Sequence, residues 1–249
     1  MKIHLELNAP DPILVNASIA PIEFTTGAFH VDWETLATLR EVEPRRNYPV
    51  STFRGFLPTE AVGVGEYWEI DDESALQLLK QLAENPSLQL WVNDEVGRWA
   101  TLRAYSEDYA EIVYRIHAAF ALMDGFFTPS LFAGSLVIDR HLEELTYFEM
   151  SVPQSTLNFD VHKVIDENRA LTDSGVCRIE MIAGKHATGA LTYSEEISMK
   201  EARLGLAKQC YPAQSIEWVK LDQAEEMAKA LDRPIHVVSA DGTFMDQSC

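Results

Sequence analysis

Three cysteines, Cys177, Cys210 and Cys249, are the strongest nucleophiles the sequence offers. They share no C-x-x-C or other close spacing, so neither a zinc site nor a dithiol motif is written in their separation. Cys249 stands just beyond IHVVSAD (235–241), a buried-strand pattern within a helix-strand alternation. Thioredoxin-like folds place an attacking thiol there, after a central strand and at the N-terminus of a helix whose dipole stabilises the thiolate. By spacing alone the plainer reading prevails, an exposed residue of no consequence. Cys177, in a strand-like run, and Cys210, at a helix end, read as small buried apolar residues. Histidines 4, 30, 117, 141, 162, 186 and 236 never pair as H-x-x-x-H with a carboxylate, so no metal is assigned, and His117 reads as structural. The acidic clusters Asp71-Asp72-Glu73 and Glu225-Glu226 read as solvated helix starts or faces. G-x-G-x-x-G, G-x-x-x-x-G-K-[ST] and G-x-S-x-G are all missing, so no nucleotide cofactor and no serine nucleophile is expected.

The elements that must position these groups follow from patterning. A length of 249 residues suits one large or two small domains at about 150 residues each. With 20 Lys+Arg against 39 Asp+Glu the formal charge is −19, which argues against unaided binding to nucleic acid or an anionic membrane. The N-terminus is interrupted by Pro10, Asp11, Pro12 and Pro21 and lacks a signal-peptide core, and no run of about 18 apolar residues spans a bilayer. A cytoplasmic location is expected. A helical turn is predicted near Asp32 to Arg40. A helix is predicted after Asp71 and Asp72, with Leu76, Leu79 and Leu82 at helical spacing and Asn85-Pro86 as the stop. Residues 111–122 alternate as one half-buried strand. Thr128-Pro129 reads as an N-cap and first position of a short helix. Residues 135–140 and 144–152 form a hairpin about a turn at His141 to Glu143. Residues 157–164 and 176–184 are further strands, separated by a polar loop over 166–175. Ser198-x-x-Glu201 fits a capping box for a helix that ends near Cys210, before Pro212. A strand over 215–221, a helix capped at Asp222 with Ala224, Met227, Ala228 and Leu231 on one face, and a strand from Ile235 complete a βαβ-like unit.

Several segments carry a family resemblance. The tail RPIHVVSADGTFMDQSC (233–249) resembles the redox segment of selenoprotein N, where a strand leads into Gly-x-x-x-Asp-Gln-Ser-Cys followed by selenocysteine and Gly. FRGFLPTEAVGVGEYWEI (53–70), AYSEDYAEIVYRIHAAFAL (104–122), FFTPSLFAGSLVID (126–139), SVPQSTLNFDVH (151–162) and ARLGLAKQCYP (202–212) resemble family segments in the same order. The resemblance covers roughly residues 50–165 and 200–249. It implies a thiol-disulfide oxidoreductase in which Cys249 and an adjacent selenocysteine cycle between a dithiol-like form and a selenenylsulfide. Ser248 supplies a neighbouring hydroxyl. The substrate is a protein or small-molecule disulfide or a peroxide, and a separate reductant recharges the couple. Selenocysteine would be a residue of the chain and not a dissociable cofactor. The EF-hand and reticulum anchor of vertebrate members have no counterpart motif in these 249 residues, so calcium regulation is not carried over.

The expected fold class is α+β: a central antiparallel sheet with short helices, followed by the βαβ part of an incomplete thioredoxin-like domain. The expected division is an N-terminal extension over 1–47, a β-rich domain over 48–197 and a partial thioredoxin-like domain over 198–249. On this reading the polypeptide stops before its selenocysteine and is inactive or a poor reductant, and the strand near Ile235 pairs with a neighbouring sheet, pairs with a second subunit in a homodimer, or is poorly ordered. The alternative function is a non-catalytic interaction module that holds a partner through the β-rich domain. Sequencing the gene beyond Cys249 tests the recoding: a UGA codon with a continuing frame is expected, and UAA or UAG with no continuing frame contradicts it.

Overall fold

Alternating apolar residues dominate the middle of the chain, and the computed structural model resolves them into two antiparallel sheets. It describes residues 1–88, 97–167, 169–185, 191–211 and 219–237. The first part of the chain supplies β1 (Ile13–Ile19), β2 (Phe24–Thr25), α1 (Phe29–Asp32), α2 (Glu34–Ala37), β3 (Arg45–Tyr48), α3 (Val50–Arg54), β4 (Tyr67–Glu69), α4 (Asp72–Leu79) and β5 (Pro86–Ser87). Next come β6 (Arg98–Tyr105), β7 (Tyr109–Ile116), β8 (Ala119–Leu122), β9 (Gly125–Pro129), β10 (Phe132–Asp139), β11 (Glu144–Ser151), β12 (Phe159–Asp166), β13 (Arg169–Val176) and β14 (Ile179–Gly184). The chain then forms β15 (Glu195–Glu196), α5 (Met199–Cys210) and α6 (Leu221–Leu231). The larger sheet runs β15-β6-β7-β10-β11-β14-β1-β3, with β4 also on β6, and the smaller runs β2-β13-β12-β9-β8-β5. This is an α+β architecture.

Residues 1–47 are woven into this framework. β1 pairs with β14 on one side and β3 on the other, so it is an interior strand of the larger sheet. Between the sheets lies an aromatic core. Phe127 packs on Phe159 at 4.9 Å between ring centres, and Phe56 packs edge-on against Tyr114 at 5.0 Å. Each fully buried phenylalanine contributes roughly 1.5–3 kcal/mol. Gly134 lets β10 carry this packing, because a Cβ there would sit 2.4 Å from the Tyr114 hydroxyl.

Between β7 and β14 the chain passes from one sheet to the other four times. The chain crosses at His117-Ala118, at Ser130-Leu131, through 152–158, and at Cys177-Arg178. Strands that change sheet need their freed backbone groups repartnered. Asn158, with no exposed surface, does much of this. Its amide nitrogen donates to the carbonyls of Pro153 and Cys177, both at 3.0 Å, and its side-chain oxygen accepts from the Cys177 N–H at 2.7 Å. Its backbone carbonyl accepts from Ser130 and its N–H donates to Gly175. One residue therefore ties three crossovers together.

Several expectations hold. The 135–152 hairpin is β10 and β11. Asp71 caps α4, accepting from the Ser74 N–H at 2.9 Å. The capping box at α5 is complete, with Ser198 Oγ accepting from Glu201 N and Glu201 Oε2 accepting from Ser198 N. The turn near Asp32 is present as α1 and α2.

Other expectations are corrected. Residues 111–122 are two strands in different sheets, not one, and β7 is buried on both faces because α5 covers its outer side. Thr128-Pro129 does not start a helix: it ends β9, where Pro129 faces Phe159 and a missing N–H is tolerated at a strand end. Core packing of Leu131 and Phe132 overrides the local capping signal. The polar loop over 166–175 is largely strand β13; its outer end is exposed on both faces, so it carries no apolar alternation. The N-cap of α6 is Lys220, not Asp222, and Ile235 to Val237 form no strand and are exposed. α6 buries none of its side chains. The rest of the predicted 215–221 strand, at 215–218, and of the 235–241 strand, at 238–241, lies outside the described residues.

Asn158→Ala strands three buried backbone groups without a partner, at roughly 1–3 kcal/mol for each group left unsatisfied. Urea denaturation is expected to show a loss of about 3 kcal/mol or more; a loss under about 0.5 kcal/mol contradicts the clamp.

Candidate functional site

The two residues singled out for catalysis, Cys249 and Ser248, lie outside the described residues, as does His186. The other two cysteines are placed. Cys177 is 2% exposed at the fourth crossover, and burial pushes its thiol up to about 12, far from the thiolate needed for exchange. Cys210, fully buried, closes the last turn of α5. Both match the expected role of small apolar residues.

The densest cluster of chemistry among the described residues sits where α5 meets the first crossover. Arg115 and His117 are two apart on the same stretch of chain, so β geometry turns both to one face. The Arg115 Nε donates to His117 Nε2 at 2.9 Å, which places the proton of the neutral ring on Nδ1. The Tyr211 hydroxyl, one residue past α5, lies 3.1 and 3.2 Å from the two ring nitrogens, and its ring stands edge-on to the imidazole. The Arg115 guanidinium lies over the Tyr211 ring at 5.3 Å. Burial first, and the Arg115 charge second, push His117 down to about 3, against a backbone hydrogen bond to Ser130 that works the other way.

This cluster locks the end of α5 onto the strand-crossing seam. The expectation that His117 is structural fits a ring held neutral and buried. Arg115 and Tyr211 were not legible as partners; the Arg-x-His spacing on a strand was the available signal. Among the described residues no group of three His, Cys, Asp or Glu side chains lies close enough to hold a metal ion. The remaining described histidines, His4, His30, His141, His162 and His236, are exposed or half-buried and separate from the cluster.

A second ionic network secures the segment before α5. Arg103 donates to Glu111 at 2.6 Å and to Glu196 at 3.1 Å, and the Tyr193 hydroxyl donates to Glu111 at 2.9 Å. Arg103 also lies over the Tyr193 ring. With the capping box, these contacts dock both ends of α5 on β6 and β7.

His117 carries a pH signature. The unfolded imidazole takes a proton below about 6.5, whereas the folded one stays neutral down to about 3. The unfolded state therefore binds more protons within that window. The contribution is complete above the unfolded value and is lost as pH falls through the window, at most roughly 1.4 kcal/mol per pH unit. His117→Gln is expected to flatten the melting temperature against pH between 6.5 and 4. An unchanged slope, or an imidazole titrating near 6.5 by NMR, contradicts it.

Comparison with known proteins follows the expected family. The chain is 27% identical over 189 residues to selenoprotein N of Danio rerio, covering 61% of this chain and 34% of that protein. It is 23% identical over 191 residues to selenoprotein N of Homo sapiens, covering 61% of this chain and 32% of that protein. For selenoprotein N of Mus musculus the values are 21% over 280 residues, 88% of this chain and 49% of that protein. The matched region thus spans a third to a half of the length of these relatives. No family model and no solved structure matches.

Proposed function

We propose that this chain carries the scaffold and the sulfur half of a selenoprotein N-type thiol-disulfide oxidoreductase. Cys249 pairs with a selenocysteine at the following position, Ser248 lies beside it, and residues 198–249 open a thioredoxin-like unit. The similarity to three proteins named selenoprotein N carries the reading. Burial of Cys177 and Cys210 supports it, because thiols held inside the core cannot meet a disulfide and the raised pKa of Cys177 keeps it protonated.

The chemistry is a two-electron exchange. The substrate S–S bond breaks into two thiols, taking two electrons and two protons, and a bond forms between the Cys249 sulfur and the neighbouring selenium. An external dithiol then reduces that bond and is itself oxidised to a disulfide. Selenium at the partner position supplies an attacker ionised at neutral pH, while the Cys249 thiolate resolves the mixed intermediate. The docked α5 gives this tail a rigid base, held by the Arg115-His117-Tyr211 contacts.

One observation favours a second reading, an interaction module. Phe24, Phe126 and Val164 expose apolar surface on the smaller sheet, with Met123 and Leu171 at its end. The two readings separate on Cys249→Ser, assayed in the selenium-containing gene product with cystamine as substrate and dithiothreitol as reductant. Turnover is expected to fall at least ~100-fold, because the resolving sulfur is gone, while Cys210→Ala keeps it. Turnover unchanged by Cys249→Ser overturns the oxidoreductase reading.

A further inference from the structure

A cavity of about 140 Å³ opens between α5 and the outer face of β7 and β10, at the edge of the strand-crossing seam. Its lining includes Arg115 and Arg203 together with Leu131, Ala133, Pro153 and Leu206. Three features distinguish it from an ordinary surface dent.

The first is its charge. The chain carries 39 acidic against 20 basic residues, yet among the described residues no acidic side chain lines this cavity and two guanidiniums do. Arg115 comes from the sheet and is only 6% exposed; Arg203 comes from the facing helix and forms no hydrogen bond or ion pair among the described residues. The second is rigidity. Arg115 is held through Nε by His117 and lies over the Tyr211 ring, so its guanidinium plane is set before any ligand arrives. His117 is neutral and brings no competing charge of its own. The third is the rest of the wall, which is hydrocarbon apart from Tyr114, whose hydroxyl donates to the Glu149 carbonyl. A planar guanidinium fork matches a planar carboxylate, and an apolar wall favours a short aliphatic chain over a fully hydrated anion.

We propose that this cavity is a binding site for a small aliphatic carboxylate, with Arg115 and Arg203 taking the carboxylate and Leu131, Pro153 and Leu206 covering its chain. The volume is that of about four or five waters at roughly 30 Å³ each, which suits an acid of about three to five carbons. The site is separate from Cys249 chemistry and stands whether or not the oxidoreductase reading does.

Calorimetric or NMR titration of the whole chain with sodium butyrate tests it, against acetate, n-butanol and inorganic phosphate. Saturable binding of butyrate is expected, roughly tenfold tighter than acetate because two more methylenes are covered. Butanol and phosphate are expected to bind at least about tenfold more weakly than butyrate. Arg203→Glu, on the exposed side of α5, leaves the fold intact and is expected to weaken butyrate at least about tenfold. Shifts on binding should centre on residues 115, 131–133 and 203–206. No saturation by roughly 50 mM butyrate, phosphate binding as tightly as butyrate, or unchanged affinity in Arg203→Glu overturns the proposal.

Discussion

The side-chain amide of Asn158 is the contact on which the arrangement of the two sheets depends. A strand that leaves one sheet for another gives up ladder hydrogen bonds at the point of departure, and the freed groups lie inside the sandwich where water cannot reach them. Four such departures fall along one seam, and Asn158 satisfies groups on three of the segments involved. Apolar burial alone would collapse these strands together without choosing where they cross. A fully bonded amide at zero exposure chooses, because any other register leaves donors and acceptors unpaired.

Placement of the thiols follows from the same seam. Cys177 sits between the strands that Asn158 ties, and its backbone N–H is one of the groups so held. Cys210 ends the helix that the Arg115-His117-Tyr211 cluster docks. Burial makes both poor nucleophiles. The neutral His117 belongs to this logic: a charged imidazole beside Arg115 would add a second buried cation, so the fold holds the ring deprotonated.

Local grammar was readable where local interactions decide. The capping box at Ser198 and Glu201, the Asp71 cap and the 135–152 hairpin all rest on residues within a few positions of each other, and all are present. Legibility ended where distant segments decide. The break in 111–122 exists because β7 and β8 join different partners, which no period-2 pattern records. Thr128-Pro129 carries a helix-start signal that sheet pairing overrides, and Arg169 to Val176 pairs as a strand although its exposed outer half lacks alternation. For the site, the Asp-Gln-Ser-Cys tail points to Cys249 as a candidate, and that residue lies outside the described residues. Arg115 and Arg203 were not legible as neighbours, since 88 residues separate them and only the docking of α5 brings them to one cavity.

The proposed function needs Cys249 as its reactive thiol, with Cys177 and Cys210 sealed in the fold. Timed alkylation of the native chain with iodoacetamide, read residue by residue by mass spectrometry, measures this directly. Modification of Cys249 is expected to precede that of Cys177 and Cys210, which stay unmodified until denaturant unfolds the sheets. Modification of either buried cysteine in the native chain as fast as Cys249 would contradict it.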